Sequence, residues 1–317
     1  MKILILGGHG FIGTHTTKRL CDLGHAVTVI DSHDHYGNYP KKEYDFVIVD
    51  RVSLLAPYDY EFIRSDIRDI DWSEMPKFDV IINAATCPDA RYINKKPSEF
   101  HDNFVYQNLR LLEYCTQTKT RFVFVSSSMV YGDFDSPVCE LTRPQPVEPY
   151  GTYKYTVELL CQNYARNHGL EYVIVRPSAV YGCHDVIVRV ISKFTCSSIL
   201  NNEILVNDAG STLDFTWVED TAEMLARLSV LDSAGNQTFN IARGRGRTLL
   251  EAAELVQSRI GGKIVIQNND KFYPRRGTLD MSKTSDLLNW APSTDIEQGI
   301  PRYLEWFTAN QSKILDI

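Results

Sequence analysis

The chain has 317 residues, which at about 150 residues per domain allows one large domain or two ordinary ones with a sizeable core. Its 44% hydrophobic and 23% charged residues are ordinary globular proportions and exclude disorder, collagen and coiled coil as dominant architectures. Lys+Arg 33 against Asp+Glu 40 gives a net charge of −7 without a basic run, which sets nucleic acid aside as the main partner, because phosphate binding needs a positive face.

The first residues, MKILILGGHGFIG, offer one Lys, a four-residue apolar run and then glycines. That is short of the roughly 7–15 apolar residues of an export signal, so none is expected. No apolar run approaches the roughly 18 residues of a membrane span, and no membrane is expected as a partner. The seven cysteines (Cys21, Cys87, Cys115, Cys139, Cys161, Cys183, Cys196) are odd in number, widely spaced and free of CxxC pairs. The expectation is reduced thiols in a cytoplasmic protein, with no disulfide framework, zinc knuckle or other metal site.

Short runs rich in Val, Ile and Phe then recur at Lys2 to Leu6, Ala26 to Ile30, Glu61 to Arg64, Val80 to Asn83, Phe122 to Ser126 and Tyr172 to Arg176. Amphipathic stretches at Gly13 to Leu23 and Phe104 to Cys115 lie between them. This is the βαβ rhythm of an open, doubly wound parallel sheet covered on both faces, an α/β fold. Ser32 to Pro57 is polar and aromatic, and reads as a lid, an oligomer contact or a surface excursion. After about Pro177 the rhythm changes to helix-like segments (Val186 to Ser197, Thr221 to Leu231, Leu249 to Ile260) among short strands and Pro/Gly turns. Residues 1–177 are therefore expected to form one domain and 178–317 a smaller C-terminal α+β lobe, with 212–217 and 236–242 returning to the first.

Gly7, Gly10 and Gly13 form GxxGxxG after the first strand and at the mouth of the first helix. Glycines there let the backbone approach a pyrophosphate, and the helix N-terminus adds free N–H groups and partial positive charge. The next strand ends at Asp31, 18 residues after Gly13, where a carboxylate accepts from adenosine ribose hydroxyls and repels a 2′-phosphate. NAD is the expected cofactor. Asp66 and Ile67, just past the third strand, are placed to meet the adenine.

Tyr150 and Lys154 stand four apart, so on a helix they share a face. Tyr92 and Lys96 have the same spacing; what distinguishes Tyr150 is the preceding strand end FVFVSSSMVYG. Taken together, GGHGFIG, SSSMVYG, PYGTYK, RPSAVYG, GSTLDFTWVEDTA, FNIARG and RRGTLDMSKTSDLLNWAP resemble the extended short-chain dehydrogenase/reductase family, in its nucleotide-sugar epimerase and dehydratase branch. The resemblance spans almost the whole chain. It implies a Rossmann domain with a substrate lobe, Tyr150 as base, Lys154 as its ammonium partner and nicotinamide-ribose ligand, and Ser127 hydrogen-bonding the reacting sugar oxygen. It also implies that Phe11, Ile12, Ala84 and Ala85 join the glycines, Asp31, Tyr150 and Lys154 around NAD. Ionising a phenol at neutral pH needs a downward shift of roughly 3 units, on the order of 4 kcal/mol, and neighbouring positive charge supplies the right sign.

The chain departs from the branch's pattern in three respects. Ser128 and Met129 stand where dehydratases carry an Asp-Glu pair, which disfavours water elimination. Ala179 replaces an Asn, and Leu213 replaces the Arg before Asp214-Phe215, both of which serve the substrate diphosphate in relatives. Arg189, Arg243, Arg275 and Arg276, with Ser127 and Ser128, are the candidate substrate ligands; Glu158, Tyr131 and Trp217 are expected to pack. The resulting expectation is an NAD-dependent nucleoside-diphosphate-sugar epimerase working through transient C4 oxidation. A C4 dehydrogenase or 4-ketoreductase is the alternative, and a non-catalytic NAD-binding regulator a second one. Relatives dimerise through two helices, for which Phe104 to Cys115 and Tyr153 to Arg166 are the counterparts, so a homodimer is expected.

Overall fold

Runs such as Ile3 to Leu6 and Val80 to Asn83 are unbroken rather than alternating because both faces of each strand are buried. The computed structural model describes residues 1–35, 40–87, 89–101, 105–135, 137–185, 189–267 and 275–315. In chain order these form β1 (Lys2–Leu6), α1 (Phe11–Asp22), β2 (Ala26–Asp31), α2 (Lys41–Leu55), β3 (Glu61–Arg64), β4 (Val80–Asn83), α3 (Ala90–Lys95), α4 (Pro97–His101), α5 (Gln107–Thr118), β5 (Arg121–Val125), α6 (Pro149–His168) and β6 (Tyr172–Pro177). There follow β7 (Val180–Tyr181), α7 (Val190–Asn201), β8 (Glu203–Asn207), β9 (Thr212–Leu213), β10 (Thr216–Trp217), α8 (Val218–Val230), β11 (Gln237–Ile241), β12 (Arg247–Thr248), α9 (Leu249–Ile260), β13 (Lys263–Gln267), α10 (Ser282–Leu288) and α11 (Ile296–Ile314).

Seven strands pair in the order β11-β6-β5-β4-β1-β2-β3, every pair parallel. The order reverses between β1 and β4, and a doubly wound sheet opens its ligand crevice at such a point, beyond the carboxyl ends of the strands. On one face Ile3, Ile5, Val29, Ile82 and Val123 pack with Leu20 of α1 and Leu225 and Leu228 of α8. On the other, Leu4, Leu6, Ile81, Phe122 and Phe124 meet Leu111 of α5 and Val157 of α6. A separate apolar cluster joins Phe194, Ile204, Trp217, Val256, Ile300 and Phe307 from the later elements.

Three expectations change. Thr221 to Leu231 was assigned to the smaller lobe, but α8 lies on the large sheet beside α1, where its apolar stripe completes that core layer. Residues 236–242 do rejoin the sheet as β11, whereas 212–217 do not: β9 pairs with β12 and β10 with β7. The polar-aromatic segment after β2 contains a 15-residue helix, α2, whose Tyr44, Val47, Ile48, Arg51 and Leu55 are buried at helical spacing. Phe104 and Val186, proposed starts of two helices, lie outside the described residues; the helices begin at Gln107 and Val190.

Candidate functional site

A cavity of about 740 Å³ runs from the β1 turn to the later elements. At one end the glycine turn is built so closely that a side chain has no room. A Cβ on Gly13 would lie 2.0 Å from the Gly7 carbonyl oxygen, and one on Gly7, at φ +75°, would lie 2.8 Å from the Ala85 backbone. This contact seats the start of α1 against β1 and β4. Gly10 caps α1 without a side-chain hydrogen bond, and Gly7, Gly10, Phe11, Ile12 and Gly13 all line the cavity, where the first-turn N–H groups can meet an anion. Asp31 stands in the wall, its carboxylate accepting from the backbone N–H of His9 and of His33, each at 3.0 Å. Asp66, Ile67, Ala84 and Ala85 continue the wall, with Asp66 held by Arg68 at 2.8 Å. A glycine cradle, an uncapped helix start and a carboxylate at the end of β2 fit a dinucleotide such as NAD.

Further along, Ser127, Tyr150 and Lys154 line the same cavity. Helix α6 carries the last two because Pro149 fits its first turn, Glu148 caps it by accepting from Gly151 N–H at 3.0 Å, and Gly169 ends it at φ 73°. Ser127 Oγ accepts from the Met129 N–H at 3.2 Å, and the Tyr150 backbone N–H donates to Asn94 Oδ1 at 3.0 Å. Lys154 lies under them: its Nζ donates to the Val125 carbonyl at 2.8 Å and sits 5.8 Å from the Tyr150 ring centroid.

The electrostatics differ from the expectation in one respect. Burial pushes the Tyr150 phenol up to about 12, and the groups of this chain that pull it back are first Arg189 and then the Ser127 hydroxyl. Lys154 is itself pushed down to about 7 by burial, opposed by the charge of Glu158. Glu158 is wholly buried one turn beyond Lys154; it accepts from Ser126 Oγ at 2.5 Å and is paired with Arg176, Nε at 3.0 Å and Nη2 at 2.6 Å. Glu158 was expected only to pack; it is the anion beneath the site. The repeated spacing at Tyr92 and Lys96 has no such setting, since Lys96 is exposed and pairs with Glu99 at 2.9 Å.

Of the substrate candidates, Arg189, Arg275 and Arg276 line the cavity. Arg189 pairs with Asp185 at 3.3 Å, and Arg275, 63% exposed, is 3.7 Å from Asp135. Two candidates do not stand in the wall. Ser128 is buried behind it, with its Oγ 3.5 Å from Arg276 Nη1. Arg243 turns away to Asp295, at 3.9 Å, because that carboxylate gathers Arg243, Arg245 and Arg247 from alternate residues of one segment. At the two divergent positions, Ala179 and Leu213 both line the cavity, and Ala179 holds φ +35°, a conformation an Asn tolerates better than an Ala. The wall also includes Tyr44, Ile48 and Arg51 of α2, Arg91 and Lys95 of α3, and Cys87. Sequence reasoning placed none of these at the site, because no motif marks them; the helical spacing of Tyr44, Ile48 and Arg51 was the available signal for α2.

A family model described as the NAD dependent epimerase/dehydratase family matches residues 3–242. An uncharacterised UDP-glucose epimerase of Bacillus subtilis is 28% identical over 319 residues, covering 98% of each chain. The crystal structure of the Bacillus cereus UDP-glucuronic acid 4-epimerase with UDP-glucuronic acid and NAD has a TM-score of 0.88 to this chain at 26% identity, covering 98% of this chain and 99% of that one. That of the Thermotoga maritima UDP-glucose 4-epimerase with UDP-glucose has a TM-score of 0.85 at 26% identity, covering 98% and 100%.

Proposed function

The chain belongs to the NAD dependent epimerase/dehydratase family, and from that premise we propose that it is an NAD-dependent epimerase inverting C4 of a UDP-sugar. One observation carries this reading: Ser127, Tyr150 and Lys154 line a single cavity with the glycine cradle and Asp31. NAD, when bound, supplies the acceptor and donor of the C4 hydride and a positively charged ring that lowers the phenol.

Gly7, Gly10, Phe11, Ile12 and Gly13 hold the cofactor's diphosphate end, Asp31 its adenosine ribose, Asp66 and Ile67 its adenine, and Ala84, Ala85 and Lys154 its nicotinamide end. Tyr150 takes the proton of the sugar 4-hydroxyl and returns it after the keto sugar has turned, while Ser127 donates to the same oxygen in both directions. Glu158 keeps the Lys154 ammonium charged so that a negative Tyr150 is favoured when it forms. Arg189, Arg275 and Arg276 hold the substrate diphosphate in place of the missing Asn and Arg, since planar guanidinium forks suit phosphate oxygens. Ser128 and Met129 provide no acid–base pair for water elimination, which favours epimerisation over dehydration.

We also propose a cytoplasmic homodimer formed through α5 and α6, supported by Leu159, 46% exposed on α6; a solution mass of one chain would reject the dimer. The activity is tested by incubating the purified protein with UDP-glucose and with UDP-glucuronic acid and reading sugar stereochemistry by NMR. Conversion to the C4 epimer without net NADH, abolished in Tyr150→Phe, is expected. Stoichiometric NADH would instead identify a dehydrogenase, and full turnover by Tyr150→Phe would remove the assigned base.

A further inference from the structure

Helix α2 brings to the glycine turn a cation that the glycine motif does not foretell. Arg51 is 4% exposed, lies in the cavity wall, and has its guanidinium carbon 5.8 Å from the ring centroid of Phe11, the first residue of α1. Its Nε donates to the His184 carbonyl at 2.9 Å. Among the described residues its other donors find no acceptor and no carboxylate forms an ion pair with it; Asp185, which faces it, pairs with Arg189 at 3.3 Å.

A guanidinium held this way is costly. Buried charges are ordinarily paired, and a buried ion without its partner destabilises a fold strongly. Among the described residues Asp185 and Asp31 oppose this charge without forming an ion pair with it, so the cation calls for a closer anion, and its place says which. It borders the volume into which the uncapped first turn of α1 directs its N–H groups, with Asp31 on the ribose side. A second guanidinium, that of Arg189, lies 5.5 Å from the Phe11 ring. A helix terminus and the planar Arg51 fork beside one aromatic ring suit a phosphate-bearing ligand rather than a single carboxylate, while Arg189 stays with the substrate diphosphate.

We propose that Arg51 is a direct ligand of the cofactor's diphosphate and that α2, through it, clamps the dinucleotide against the start of α1. This deepens the NAD reading above and rests on it. Two opposite effects follow from one substitution: without ligand, Arg51→Met relieves the fold of an uncompensated buried charge, and with ligand it removes a phosphate contact.

The test uses the full-length chain, freed of bound nucleotide, with Arg51→Met and Arg51→Lys. Melting temperature without ligand is measured together with calorimetric binding of ADP-ribose, adenosine and UDP. Arg51→Met is expected to melt at or above the parent temperature and to bind ADP-ribose at least tenfold more weakly, with adenosine and UDP within twofold of the parent and Arg51→Lys intermediate for ADP-ribose. Unchanged ADP-ribose affinity would overturn the assignment. An equal loss for adenosine, or melting several degrees lower, would also overturn it by showing Arg51 to be a structural tie to His184. A loss confined to UDP would move Arg51 to the substrate's diphosphate. A parent protein that binds no ADP-ribose would reject the cofactor cradle itself.

Discussion

Glu158→Gln probes how the floor of the site is built. Both carboxylate oxygens of Glu158 are engaged, by Ser126 and by Arg176, and the pair is 0% and 3% exposed. An amide in that place leaves Arg176 an uncompensated buried cation, and breaking such a pair costs about 3–5 kcal/mol. At about 2–4 °C per kcal/mol for a chain of this size, the melting temperature should fall by on the order of 10 °C. A chemical effect accompanies the structural one. Glu158 is the anion that opposes the burial of Lys154, which stands at about 7; without it the ammonium gives up its proton at lower pH. The limb of the kcat/KM profile that falls as pH rises should therefore move towards acid. The double variant Glu158→Leu/Arg176→Met separates the two, since apolar replacement of a whole buried pair is often neutral or stabilising. It should recover most of the melting temperature and retain the acid shift, because Lys154 still lacks its counter-charge. Thermal denaturation of the ligand-free proteins and kcat/KM from about pH 5.5 to 9 read out both. A single variant melting within about 2 °C of the parent, or a double variant that regains the parent pH profile, would refute this role of Glu158.

Gly13→Ala sets a Cβ 2.0 Å from the Gly7 carbonyl oxygen, backbone against backbone, so α1 must move; a stability loss of about 1–3 kcal/mol and loss of NAD from the purified protein are expected, and a normal NAD content on acid release would contradict the cradle. At Ala179, φ +35° disfavours branched side chains: Ala179→Val should lose about 2 kcal/mol or more in denaturant titration, and Ala179→Asn should fold normally and bind UDP more tightly, whereas a normally stable Val variant would contradict the strained turn. Lys154 titrates near 7 when folded against 10.5 ordinarily, so the unfolded chain binds its proton more tightly; the resulting penalty is fully present below pH 7 and fades as pH rises towards 10.5. Ligand-free Lys154→Met should accordingly be more stable than the parent at pH 7, with a gain that shrinks by roughly 1.4 kcal/mol per pH unit up to about pH 10; urea titrations giving the same gain at pH 7 and 9 would contradict it.

How much of this was legible in the residues depended on whether a signal was local. Lys2–Leu6, Glu61–Arg64 and Val80–Asn83 appear with the expected ends because their apolar runs are bounded by polar or turn residues. Helix α2 was not recognised because Glu43 and Arg51 share its buried face with Tyr44, Val47, Ile48 and Leu55, and that mixture masks the apolar part of the helical spacing. The amphipathic stripe of α8 would serve either lobe, and only the return of β11 to the sheet commits it to the larger one. Tyr150, Lys154 and Ser127 were readable from motif order, whereas the Glu158–Arg176 pair joins residues 18 apart through the fold. The Arg243–Asp295 pair, at 3.9 Å, is equally non-local: an Arg in a suitable motif gives no hint of that partner.

The most direct measurement follows a label through the reaction. With a UDP-sugar deuterated at C4 and no added reductant, the epimeric product should keep its deuterium at C4, the solvent should gain none, and absorbance at the NADH band should show no net rise. Deuterium lost to water, or product that retains the starting configuration while NADH accumulates, would contradict epimerisation by transient C4 oxidation in this site.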